Sequence, residues 1–199
     1  TDQGDQLDPR FVTEAQQVFN ITQNTQERDE NVLIAGIAHT ALKGVSGPSC
    51  VALGGYDYHD NTATTGDRRD RRAGEVMGRI VELAHRMQKP VFLHVVTDGR
   101  CSARGGGREW RADSGDRSLS LMAYYDPNGV NQMKTQIGHY TEGQISDTST
   151  YVGRRTNHAS NIAFLNYLSA IDKTGDVRKV LSSTALPAEV IDDSLAFTV

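Results

Sequence analysis

Hydrophobic and polar residues follow one another at spacings that predict a succession of helices and strands. In the clearest case, residues 73–87, apolar side chains recur at intervals of four, seven, eight and eleven positions from Val76 to Met87. One apolar stripe at the helical period predicts an amphipathic helix there. The β-branched run from Val91 to Val96, just after Pro90, predicts a strand buried on both faces, with His94 a hydrogen-bonded core residue.

Other segments predict further elements from the same patterns. We expect a helix over 11–20 with Thr13 as its cap, and another after Asn31 that Gly44 terminates. Later candidates are a strand over 118–125, a turn at 126–129, a helix from Asn157 or Ser160 to Ile171, and one more turn at 176–181.

The order of these elements indicates an α/β fold. A short apolar strand over 50–53, the helix over 73–87 and the strand over 91–96 form a predicted βαβ unit. We therefore expect a single domain over 1–199, built on a mainly parallel twisted sheet flanked by helices. Residues 1–10 and 187–199 lack a clear period and are expected to be peripheral tails.

Composition narrows the classes of function. The chain of 199 residues has a formal net charge of −4, and we see no basic excess of the kind that binds nucleic acid. No apolar run approaches the roughly 20 residues of a membrane span. Cys50 begins one predicted strand and Cys101 lies just past the end of another, at opposite ends of a parallel sheet, so we expect free thiols.

Two polar loops leave the two best predicted strands. The first runs over 54–60 and the second over 97–100. The carboxyl ends of parallel strands share one edge of a sheet, where Asp57, His59, Asp60 and Asp98 are expected to converge. Carboxylate and imidazole groups together suit a divalent metal. The alternative is that these are ordinary loop residues, with Asp57 capping the following turn.

The same loops resemble the motifs of a large bacterial family. Gly-Gly-Tyr-Asp-Tyr-His at 54–59 is similar to Gly-Gly-Trp-Asp-Thr-His, and the segment 95–100 resembles a strand ending in Thr/Ser-Glu-Phe-Gly-Arg. That family is known as a domain of unknown function (number fifteen-oh-one) and is similar to the alkaline phosphatase and sulfatase superfamily. The resemblance covers most of residues 11–181 and implies an alkaline-phosphatase-like fold.

The resemblance also implies a site. It makes Asp57, His59 and Asp98 ligands of a divalent metal such as zinc, manganese or calcium, and Arg100 an anion-binding residue. The family's Gly-Thr-Asp-His-Gly motif has no equivalent histidine here; the nearest stretch, 111–116, offers only Asp113 and Asp116. His139 and His158 are the candidates to replace it. The chain begins midway through the family pattern, so the segment carrying a Ser or Thr nucleophile is missing.

Two functions follow from the resemblance. The favoured one is a secreted pseudoenzyme, in the periplasm or outside the cell, that serves as a structural or assembly subunit. Its incomplete sheet would present an unpaired edge, which needs the missing N-terminal part, another chain or a copy of itself. The alternative is a metal-dependent hydrolase of phosphate or sulfate esters, with the metal on the predicted ligands and Arg100 on the anion.

Overall fold

The structure, a computed structural model, describes residues 6–56, 63–97, 101–103, 110–112, 120–141 and 146–198. Its helices are α1 (Thr13–Phe19), α2 (Glu30–Leu42), α3 (Ala63–Arg86), α4 (Tyr151–Arg154), α5 (Thr156–Ala170) and α6 (Ala188–Ile191), with 3-10 turns at Pro9–Phe11, Thr174–Lys179 and Asp192–Ser194. Its strands are β1 (Val91–Val96), β2 (Cys101–Ala103), β3 (Trp110–Ala112), β4 (Ser120–Tyr125), β5 (Asn131–Gln132) and β6 (Phe197–Thr198). The predicted mixture of helix and strand is confirmed.

The described strands pair two by two instead of forming the one broad, mainly parallel sheet that the sequence predicted. β1 pairs with β4. β2 pairs with β3 and β5 with β6, both antiparallel, with Cys101 opposite Ala112 and Asn131 opposite Thr198. Within the described residues, each sheet is thus limited to two strands.

The predicted strand at 50–53 is wrong. Residues 51–56 have no regular secondary structure, so the first strand of the expected βαβ unit is missing from the described residues. Val51 and Leu53 are only partly buried and pack against the hydrophobic core formed by α1, α2 and α3. The alternating apolar pattern of these residues is therefore explained by side-chain packing on the helices, not by pairing with another strand. Cys50 beside them is an exposed free thiol, as expected.

Contacts group the chain into two compact units. The N-terminal unit comprises Thr1–Tyr56, Asp67–Val91 and Tyr125–Asn128, and the C-terminal unit comprises Asp57–Gly66, Phe92–Tyr124 and Gly129–Val199. Two such units can still unfold together, so the single domain over 1–199 stays a prediction.

The N-terminal unit is built on α1, α2 and α3. The amphipathic helix predicted over 73–87 is confirmed and is longer, because α3 begins at Ala63. Val76 and Leu83 are 4% and 0% exposed, as the apolar stripe requires. Helix α2 begins two residues earlier than expected, where the Asp29 side chain accepts from the Asn31 amide at 2.8 Å. Thr13 does not cap α1, whose N-cap is Val12.

The C-terminal unit is built around α5. Its core contains Ile162, Leu165, Leu168, Val177 and Leu186. The expectation of peripheral tails does not describe the end of this unit, where Ala196 is 4% and Phe197 8% exposed. A segment without a recognisable period is buried because β6 pairs with β5 and packs on α5.

The β1–β4 sheet is confirmed where two strands were expected, but β1 is not buried on both faces. Phe92 lies among Tyr124, Tyr167 and Phe197, with ring centroids 5.8 to 6.3 Å apart. Further along, Val96 is 61% exposed. His94 is also exposed, and its ring Nε2 lies 2.6 Å from the Ser120 hydroxyl instead of in a core.

Candidate functional site

All seven site residues that the sequence singled out lie outside the described residues. They are Asp57, His59, Asp60, Asp98, Arg100, Asp113 and Asp116. Their convergence and the metal on Asp57, His59 and Asp98 therefore stay predictions. The described residues do establish the elements that lead into these loops.

The first loop is anchored on α3. The Tyr56 hydroxyl donates to the Arg69 carbonyl at 2.8 Å. Gly55 has a positive φ of 85°, and a β-carbon there would lie 3.5 Å from Arg69 Cζ, so the guanidinium lies against the loop backbone. Burial raises the pKa of Tyr56, and nearby Asp70 adds to this, so the phenol remains a donor at neutral pH. The start of the motif is thus fixed to the second turn of α3.

The second loop leaves a confirmed strand. β1 ends at Val96, two residues before Asp98, so this loop follows a strand as the sequence predicted. The long amphipathic helix expected between the two motifs is also present as α3. A helix between the two motifs and a strand before the second are thus confirmed, whereas the strand predicted at 50–53 is absent from the described residues.

The two histidines considered as replacement ligands have local partners. His139 Nε2 lies 2.7 Å from Asp147 Oδ2. His158 Nδ1 lies 2.6 Å from the Tyr151 carbonyl oxygen, and its ring stacks on the Tyr151 ring at 4.0 Å. In the part of the chain that the structure describes, no three or more His, Cys, Asp or Glu side chains are grouped to hold a metal ion.

The partner of His139 is a strongly stabilised carboxylate. Asp147 Oδ1 accepts from the Ser149 amide at 2.7 Å. That bond lowers the pKa of Asp147 most, the Ser149 hydroxyl adds to it, and His139 contributes a smaller lowering against a small effect of burial. Asp147 is therefore ionised at neutral pH and pairs with the His139 ring shortly before the start of α4.

The structure reveals one buried histidine that sequence reasoning passed over. His39 is 3% exposed in α2, and its Nδ1 has no hydrogen-bond partner among the described residues. In the sequence, His39 lies within a predicted helix and belongs to no recognisable motif. Its burial depends on the 3-10 turn and α1 packing on α2, which local spacing does not reveal.

No family model, no curated protein and no solved structure matches this chain. No helix among the described residues is both long and apolar enough to cross a membrane.

Proposed function

We propose that this chain is a non-catalytic, secreted, alkaline-phosphatase-like protein that serves as an assembly subunit, in the periplasm or outside the cell. The observation that carries the proposal is the β1–β4 sheet, which has two strands in the described residues. A two-stranded sheet is only marginally stable in water, and its outer edges are templates for further strands. The broader, mainly parallel sheet of the resemblance would be completed by pairing at these edges.

Both strands lack the devices that normally protect an edge. The sequences of β1 and β4, Val-Phe-Leu-His-Val-Val and Ser-Leu-Met-Ala-Tyr-Tyr, contain no lysine, acidic residue or proline. Val96 on β1 and Leu121 on β4 are 61% and 45% exposed. Two like edges of this kind can meet without charge repulsion, so a second copy of this chain is the partner that we propose.

The mass of the chain in solution tests this proposal. One chain weighs 21.8 kDa. We expect light scattering after size-exclusion chromatography to give at least twice this mass for the wild type, and a return toward one chain for Leu121→Lys, which places a charge on the sheet. Val180→Lys is the matched control, because Val180 is 66% exposed but lies outside this sheet. A wild-type monomer at roughly 0.1 mM, where weak interfaces form, would refute self-association.

A hydrolase of phosphate or sulfate esters is the second candidate. The observation that favours it is the anchoring of the Gly54–Tyr56 segment on α3, together with β1 ending next to Asp98. In this reading Asp57, His59 and Asp98 hold a zinc, manganese or calcium ion that activates water, and Arg100 binds the ester anion.

Metal content separates the two candidates. Elemental mass spectrometry of native protein would find about one metal ion per chain for the hydrolase. Asp57→Ala would abolish that metal, whereas Asp192→Ala, on a 3-10 turn of the C-terminal unit, would keep it. Metal-free native protein with no esterase activity after addition of zinc, manganese or calcium would exclude the hydrolase.

A further inference from the structure

A short segment near the start of the chain lies against α2 beside His39 and Lys43. The His39 ring is 3% exposed, and its Nδ1 has no hydrogen-bond partner among the described residues. The Leu7 backbone is close enough to the ring to raise its pKa. At the end of α2, Lys43 Nζ donates to the Gln6 carbonyl at 3.3 Å.

The residues after Leu7 continue along the same helix. Pro9 is buried, and a β-carbon at Gly36 of α2 would lie 3.6 Å from Pro9 Cδ, which is close packing. The Asp8 side chain caps the 3-10 turn by accepting from the Arg10 amide at 3.0 Å. We call residues 6–11 the strap, since they run along α2 from Lys43 to Gly36.

The surroundings of His39 contain little that would stabilise a positive charge. Glu14 on α1 favours the charged ring, and Lys43 on α2 opposes it. Arginines cannot stabilise a positive charge, and the carboxylates beside them are already paired. Arg10 on the 3-10 turn pairs with two carboxylates, and Arg86 on α3 pairs with a glutamate of its own helix. A proton arriving on Nδ1 would therefore form an imidazolium without a hydrogen-bond acceptor in a buried position.

We propose that the strap is an acid-sensitive latch, which neutral His39 keeps closed on α2 and which opens when solvent delivers a proton to Nδ1. In the open state the imidazolium reaches water. The face of α2 around Gly36 and His39 is then uncovered. The ring changes only its protonation, so the step is reversible.

The direction of the pH dependence follows from burial. Burial lowers the pKa of His39 below its ordinary value of 6.5, and Lys43 lowers it further. Leu7 and Glu14 raise it, but by less than burial and Lys43 together lower it. The open strap binds the proton more readily than the closed one, so closure is fully stable above pH 6.5 and weakens as the pH falls below it. The Asp8 cap is not the cause, because Arg10 holds the pKa of Asp8 below 3.8.

Hydrogen exchange of the full chain at about pH 7.5 and about pH 5.0, corrected for the intrinsic rate, tests the latch. We expect wild-type protection in the strap and α1 to fall by about tenfold at the lower pH. His39→Gln keeps a polar side chain at this buried position but does not titrate, so its protection should stay constant. His85→Gln removes an exposed histidine of the same unit and should behave like the wild type.

Two results would overturn the latch. The first is an equal loss of protection in the wild type and in His39→Gln, which would assign the pH dependence to another group. The second is unchanged wild-type protection. If His39→Gln does not fold, a nuclear magnetic resonance titration of the wild type decides: His39 titrating at or above 6.5, without changes in the strap amides, refutes the proposal.

Discussion

Asn166 Nδ2 donates a hydrogen bond to the carbonyl oxygen of Ser194 at 2.8 Å, across 28 positions of the chain. The Asn166 side chain is fully buried, and its Oδ1 accepts from the Ala196 amide at 2.6 Å. A single side chain of α5 therefore takes the place of a neighbouring strand for the backbone around Ser194. This is how an irregular segment can be buried without losing its hydrogen bonds.

Replacing Asn166 should destabilise the C-terminal unit. Asn166→Ala leaves the Ser194 carbonyl and the Ala196 amide buried without these partners, at a cost of about 2–4 kcal/mol in the free energy of unfolding. Urea denaturation measures this loss. Asn157→Ala, at an exposed position of the same helix, should change stability by less than about 0.5 kcal/mol. Equal effects of the two substitutions would contradict the role assigned to Asn166.

Two leucines of the N-terminal unit should lose very different amounts of stability on the same substitution. Leu83 is 0% exposed, so Leu83→Ala opens a cavity and should cost about 3–5 kcal/mol. Leu33 on α2 is 53% exposed, and Leu33→Ala should cost about 0.5 kcal/mol or less, since alanine is also a good helix former. Thermal and urea unfolding of the two variants provide the comparison, and a similar loss in both would refute this packing.

Two glycines with positive φ should differ in their tolerance of alanine. Gly129 has a φ of 99° and open space where a β-carbon would lie, so Gly129→Ala should cost about 1–2 kcal/mol of backbone strain. At Gly138, with a φ of 77°, the new carbon would clash with Val152 Cγ2, so Gly138→Ala should cost more.

A double substitution separates the clash from the strain. Val152→Ala removes Cγ2, so Gly138→Ala should cost less in the Val152→Ala background than in the wild type. A double-mutant cycle in urea measures this coupling, which should be about 1 kcal/mol or more. Strict additivity would show that the backbone conformation alone requires glycine at 138.

The carboxyl of Asp147 should titrate below its ordinary value of 3.8. The Ser149 amide and hydroxyl cause most of the lowering of its pKa, and His139 causes less. Because the folded pKa is depressed, the stability that this carboxylate contributes is present above 3.8 and is lost as the pH falls through the folded value. Nuclear magnetic resonance titration of the Asp147 side chain measures it directly.

Substitutions of either neighbour of Asp147 should raise its pKa. Ser149→Ala keeps the backbone donor but removes the hydroxyl, and His139→Gln removes the imidazole, so both variants should raise the pKa. Ser160→Ala, at an exposed position on α5, should leave the pKa unchanged. An unchanged pKa in both Ser149→Ala and His139→Gln would mean that the Ser149 amide alone stabilises the carboxylate.

The parts of the fold that sequence predicted well are those with a strong local period. Helix α3 follows from one apolar stripe, and β1 from a β-branched run after Pro90. The strand predicted at 50–53 was wrong because Val51 and Leu53 pack on helices, and this packing gives the same alternation of apolar residues as a strand. The prediction that His94 lies in the core was wrong because an uninterrupted apolar run does not show whether both faces of the strand are covered.

Long-range contacts explain what the sequence did not predict. The burial of His39 and of Phe197 depends on contacts with segments far away in the chain. The spacing of apolar residues around His39 and Phe197 does not predict these contacts. For the candidate site, the sequence predicted correctly that α3 follows the first motif and that β1 precedes the second. The anchoring of Tyr56 on Arg69 joins residues 13 positions apart and carries no recognisable motif.

The closing of the α5 core by Ser194, Ala196 and Phe197 also sets an order of events during synthesis. Helix α5 is synthesised before the residues that complete its core, which follow 28 or more positions later in the chain. A premature stop between Ala170 and Ser194 would therefore release a chain whose α5 has its helical sequence but not its covering segment. Such a product should be a substrate for chaperones and proteases instead of a shortened native protein.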